Sequence, residues 1–142
     1  MTNGTQNKPL NVNQLKEELA HFTGDLLRYQ HPLNRKVIYT PGVRHLANEA
    51  QAFWLVDAIA SWIGTSTFAE AEQKDPRIGS LHFWLLAVDR DDSTAVLHAE
   101  GDKGVDPFIV QSIPYTDFAL DEVSIWAGFD GSHWTLYLPS EH

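Results

Sequence analysis

From about Asn13, the residues Leu15, Leu19 and Phe22 recur at the spacing that places side chains along one face of an α-helix. Asn11 or Asn13 is positioned to accept from the free amides of the first turn, and Gly24 predicts the stop. Leu26 to Asn34 follows neither a helical nor a strand period, whereas Lys36 to Thr40 reads as a short β segment. Thr40-Pro41 marks a second helix start, because the hydroxyl can cap and a proline at the first helical position has no needed donor to lose. Val43, Leu46 and Ala47 are its inward positions. A third helix, Phe53 to Ile63, carries one stripe of Phe53, Val56, Ala60 and Ile63 and another of Leu55, Ile59 and Trp62. A helix apolar on nearly all sides is expected at the centre of a domain, and Gly64 ends it. Phe68 to Asp75 is a short acidic segment of one or two helical turns, closed by Pro76.

After Pro76 the period becomes strand-like. Leu81 to Asp89 is apolar at successive positions, the pattern of a strand covered on both faces. Arg90-Asp91-Asp92 is a turn, Thr94 to Glu100 returns as the partner strand, Gly101 to Pro107 is a loop, and Phe108 to Tyr115 is a third strand. Asp130-Gly131 predicts a two-residue hairpin loop. That loop pairs Phe129 with Ser132, Ala127 with Trp134, Ile125 with Leu136 and Val123 with Leu138, leaving Trp126 and Tyr137 on the other face with Ser124 and Thr135. Helices first and hairpin-connected strands afterwards define an α+β class, with N-terminal helices on one face of a mainly antiparallel meander of four to six strands. The expected organisation is a disordered tail over residues 1–10 and a single domain over 11–142.

Composition changes this picture in four ways. The chain has 142 residues, 43% of them hydrophobic and five of them tryptophan, enough for a core without a staple. It has no cysteine, which excludes disulfides, thiol catalysis and cysteine-ligated metals, and fits a reducing cytoplasm. The N-terminal segment lacks the apolar core of a secretory signal, and Ala52 to Gly64 is too short to span a bilayer. The formal charge of -9 disfavours direct contact with nucleic acid or anionic membranes; it serves solubility alone, as in many intracellular proteins, or else meets a basic protein partner, including one whose nucleic-acid-binding surface is blocked.

Candidate chemistry is sparse. Asp57 is the one charge within the apolar helix, so a partner in Arg44 or His45 is expected, with a general-base role as the functional alternative. None of the seven histidines makes the helical His-Glu-x-x-His spacing and none lies beside another; His82 and His98 face each other only with a three-residue loop centred on Arg90, and a two-residue loop sends them to opposite faces. Asp89 to Glu100 places acids at several positions of a calcium loop, but Thr94 stands where glycine is required and strands flank it. Asp117, Asp121 and Glu122 form an acidic turn in which Thr116 or Asp117 is placed to cap a single helical turn. No phosphate-binding glycine loop, nucleophile elbow or kinase signature is present, and no cofactor is implied.

Two stretches carry a resemblance. Tyr39-Thr40-Pro41-Gly42-Val43 with Leu46-Ala47 runs into Trp54-Leu55-Val56-Asp57 and Ile59-Ala60-Ser61; Tyr115-Thr116-Asp117-Phe118 with Leu120-Asp121-Glu122 leads to a terminal Leu138-Pro139-Ser140. They resemble a family of small uncharacterised bacterial proteins, a domain of unknown function common in plasmid- and phage-rich genomes. The resemblance runs from about Val12 to Glu141 and implies no known chemistry, only an accessory role in mobile elements. The expected function is a non-enzymatic interaction domain, in one version a counter-defence inhibitor, that binds a basic partner through Asp117, Asp121, Glu122, Trp126 and Tyr137. The alternative is a small-ligand module with a pocket between the central helix and the sheet. An exposed sheet edge would also allow a homodimer.

Overall fold

The computed structural model describes residues 10–22 and 27–142. The expected tail, save Leu10, and the expected stop at Gly24 lie outside the described residues; Leu10 itself is half-buried against the core. Helix α1 (Val12–His21) starts where Asn11 accepts from the Gln14 amide at 3.0 Å. Two short strands, β1 (Tyr29–Gln30) and β2 (Val37–Tyr39), precede helix α2 (Pro41–Glu49), whose cap is Thr40. Helices α3 (Phe53–Trp62) and α4 (Ser66–Lys74) follow, and a 3-10 turn at Pro76–Gly79 leads into the strands. These are β3 (Leu81–Asp89), β4 (Thr94–Glu100), β5 (Ile109–Ile113), β6 (Glu122–Phe129) and β7 (Trp134–Tyr137), closed by a 3-10 turn at Pro139–Glu141.

The fold is α+β, and its sheet is larger and more mixed than expected. Among the described residues, seven strands lie in the order β1-β2-β7-β6-β3-β4-β5, and the β2–β7 pair is parallel. The Lys36 to Thr40 segment forms a strand as expected, and it pairs in parallel with the last strand. The Trp134 amide donates to the Lys36 carbonyl at 2.7 Å, and the Thr40 amide donates to the Leu136 carbonyl at 3.2 Å. Strands of two and three residues are too short for a period of two to reveal their partner.

Alternation along the strands separates two faces. His82, Trp84 and Leu86 on β3, Leu97 and Ala99 on β4, Ile125 and Ala127 on β6, and Leu136 on β7 are buried on one face. They pack with Leu46, Leu55, Val56, Ile59 and Phe68 from the helices in a single core. Leu81, Phe83 and Leu85 alternate onto the other face and are half-buried, so β3 is central in the sheet but not buried equally on both sides. Helix α3 is likewise less enclosed than its composition suggests. Phe53, Asp57 and Ser61, four residues apart, form a solvent-facing strip, and the buried stripe is Leu55, Val56, Ile59, Ala60 and Ile63.

The final hairpin differs by two residues from its expected register. Phe129 pairs with Trp134, Ala127 with Leu136 and Trp126 with Tyr137, leaving a four-residue loop. The Asp130 carboxylate explains the extension: it accepts from the Ser132 and His133 amides at 2.8 and 2.6 Å, making a side-chain-mediated turn. These backbone donors hold the Asp130 carboxyl below its ordinary range. A shift of two preserves the faces, so Trp126 and Tyr137 stand opposite the core as expected.

Candidate interaction surface

The acidic turn and the β3–β4 hairpin tip meet at one end of the sheet. Asp89 pairs with Thr94, and Asp89 itself accepts from the Asp91 and Asp92 amides at 3.1 and 3.2 Å. The segment from Tyr115 to Glu122 lies beside this tip, because the Thr116 amide donates to the Ser93 carbonyl and the Val88 amide to the Asp121 carbonyl, each at 2.8 Å. Residues 88–94 and 115–122 together carry Asp89, Asp91, Asp92, Asp117, Asp121 and Glu122 against the single cation Arg90. The Arg90 guanidinium lies 3.8 Å from Asp121 with both side chains largely exposed, a pair of small energetic weight.

The acidic segment is held from beneath by apolar residues, not by the expected helical turn. Phe118 and Leu120 are buried, and Phe118 meets Trp54 of α3 edge-on at 6.4 Å. Thr116 accepts from the Phe118 amide at 3.1 Å through its hydroxyl, which turns the chain without starting a helix. Its neighbour Tyr115 is 71% exposed. The end of the sheet therefore presents an exposed aromatic ring and several carboxylates on two segments tied together by backbone hydrogen bonds.

Trp126 and Tyr137 belong to a different part of the surface. Glu122, Ser124 and Trp126 share a face, but four residues of strand separate Glu122 from Trp126, about 13 Å. Trp126 meets Phe83 edge-on at 5.0 Å and His142 at 5.1 Å, and the Lys103 ammonium stands 4.7 Å from its ring centre. Tyr137 stacks on His142, whose Nδ1 lies 2.9 Å from the phenol oxygen, and burial raises the phenol's pKa. Lys103 and His142 thus cap the two rings.

Asp57, His45 and Arg44 do not form one polar site. Asp57 is exposed at 62% of its side chain and pairs with His31 Nε2 at 2.8 Å. The buried His31 accepts from the Leu33 and Asn34 amides at Nδ1, so its proton is on Nε2 and is donated to Asp57. Asn34 donates to the Ala60 and Ile63 carbonyls, and together these contacts pin the 31–34 turn to α3. Both ring nitrogens of His31 are engaged, and the pair reads as structural. Arg44 lies over the Tyr29 ring at 4.5 Å, and His45 pairs with Glu18 at 2.8 Å. Asp57 points away from both because it lies on the solvent strip of α3.

His82 and His98 fall on opposite faces, since the loop between their strands has four residues and His98 stands opposite Leu85. His82 is fully buried among Phe68, Phe108, Trp84 and Trp134, and its Nδ1 hydrogen-bonds the Ile78 carbonyl at 3.1 Å. Burial lowers its pKa to about 4. Side chains of α3 and of the sheet pack together in the core, and a cleft of about 260 Å³ lies among Thr40, Phe129, Tyr137 and His142, with no α3 residue in its wall. Among the described residues no helix is long and apolar enough to cross a membrane.

The acids at 89–92 were visible in the sequence as a hairpin tip, and Tyr115 as the end of a strand. Their convergence with Asp117, Asp121 and Glu122 depends on the β3–β6 pairing, which no local pattern encodes.

The family described as "Family of unknown function (DUF6876)" matches residues 13–142, and the chain belongs to it. No curated protein and no solved structure matches the chain.

Proposed function

We propose that this chain is a non-enzymatic binding protein whose acidic sheet end docks on a basic protein surface, in its specific version a nucleic-acid-binding surface that it thereby blocks. The observation that carries the reading is the joining of the hairpin tip and the 115–122 segment by backbone hydrogen bonds, which brings two segments carrying six carboxylates, together with the exposed Tyr115, to one end of the sheet. Such a surface costs little to order on binding, because both segments are already tied to the sheet. An aromatic residue within a charged rim matches the anatomy of protein interfaces. The net charge of -9 adds long-range attraction to a basic partner. An accessory or counter-defence role in a mobile element is the biological setting proposed for this chemistry. Affinity capture at low and high salt, read by mass spectrometry, tests the reading: a stoichiometric basic partner released by high salt is expected, and a partner held equally at both salts contradicts it.

The cleft beside Tyr137 supports a second reading, a small-ligand module. Its volume is slightly below the usual range for drug-sized ligands, roughly 300–1,000 Å³. A thermal shift with a metabolite panel, lost in Phe129→Ala, is the result expected for that reading.

A further inference from the structure

Helices α1 and α2 bring three metal-ligating side chains together: Glu18, His45 and Glu49 offer ligand atoms that all lie within 4.8 Å of one another. His45 and Glu49 are four residues apart on α2 and so share one face, and Glu18 reaches them from α1. We infer that these residues form a binding site for a divalent transition-metal ion, of which Zn²⁺ is the best match. One imidazole and two carboxylates suit zinc, leaving a fourth position to water, whereas calcium and magnesium favour sites made of oxygen alone.

Position along the helices provides an independent reason. Glu18 lies in the last turn of α1 and Glu49 is the final residue of α2. Helix C-termini carry partial negative charge, so acids there are unfavourable and a cation is favoured. Two carboxylates at two such ends flank a half-buried imidazole, so a doubly charged cation held by them sits where both helix ends favour positive charge. The imidazole is held in place: its ring packs on Phe22 at 5.2 Å and its Nε2 lies 2.8 Å from Glu18 Oε1. Glu18 Oε2 accepts from Gln14 at 3.3 Å, which orients the carboxylate toward the site. Tetrahedral zinc with bonds near 2.0–2.1 Å needs ligand atoms about 3.3 Å apart. His45 and Glu18 separate slightly to reach this spacing, and Glu49 closes on them by rotation about its exposed side chain.

The test titrates the full chain, first stripped with a chelator, with zinc chloride by calorimetry and follows its thermal unfolding with and without zinc. Expected are saturable one-to-one binding and a zinc-dependent rise in the unfolding temperature. His45→Ala and Glu49→Gln should each weaken binding by about tenfold or more, and His98→Ala should leave it unchanged. Glu49→Gln keeps an exposed, helix-compatible side chain, so its loss of zinc binding reports on the site and not on folding. Absence of saturable binding, unchanged affinity in either site variant, or an equal loss in His98→Ala overturns the inference.

Discussion

The Thr40 hydroxyl donates to the Glu141 carboxylate at 2.6 Å, linking the start of α2 to the C-terminal turn across 101 positions of chain. The same carboxylate accepts from the Gly42 amide at 3.3 Å and the Leu138 amide at 2.9 Å, and Thr40 in turn caps the Val43 amide. A carboxylate beside the first turn of a helix meets free amides and the positive end of the helix dipole. Glu141→Ala removes these acceptors and leaves buried donors unpaired, which should cost about 1–3 kcal/mol in urea unfolding. A loss below roughly 0.5 kcal/mol, the scale of an ordinary surface change, would show that the contact does not hold the two segments.

Gly42 is required by this contact and not by its backbone angle. A Cβ there would stand 2.6 Å from Glu141 Oε1 and 2.8 Å from Leu138 Cδ1. Helix propensity favours alanine over glycine by about 1 kcal/mol, so the two effects oppose each other. Crowding of a packed interface should win, making Gly42→Ala destabilising by about 1–3 kcal/mol. Combined with Glu141→Ala, the cost should shrink, a coupling that a double-mutant cycle reads directly.

His82 makes stability depend on pH. Its pKa falls from 6.5 to about 4 on folding, first because burial disfavours the charged ring, with the Ile78 carbonyl acting in the opposite direction. The unfolded chain therefore binds the proton more readily, and the stability associated with neutral His82 is fully present above pH 6.5. It declines as pH falls from 6.5 through 4, by an amount of about 3 kcal/mol. Denaturant unfolding across that window should show a shallower decline in His82→Phe than in the wild type; parallel curves would contradict the assignment.

The helix starts and strand faces were legible because each rests on local chemistry. Thr40-Pro41 names its own cap, and the alternation of Ile125, Ala127, Trp134 and Leu136 assigns the core face whatever the loop length. Loop length itself was not legible, since Asp130 bonds two amides through its side chain and extends the hairpin beyond the turn that Asp-Gly suggests. The β2–β7 pairing and the Thr40–Glu141 contact join residues about 100 positions apart, beyond any local period. Asp57 was misplaced for a related reason: its apolar neighbours imply burial, but the core takes only one side of α3. The acids of the 117–122 turn were legible as a surface, whereas their union with Asp89, Asp91 and Asp92 required the tertiary pairing.

The docking role of the acidic end is tested most directly by comparing the wild type with a charge-reversed variant, Asp117→Lys with Asp121→Lys and Glu122→Lys, in binding to the captured partner across a salt series. All three positions are exposed, so folding should be preserved. The wild type should bind with an affinity that falls steeply as salt rises, and the variant should lose binding. Tyr115→Ala should weaken it by more than about 1 kcal/mol without changing stability. Binding that survives the charge reversal with the same salt dependence would contradict the account.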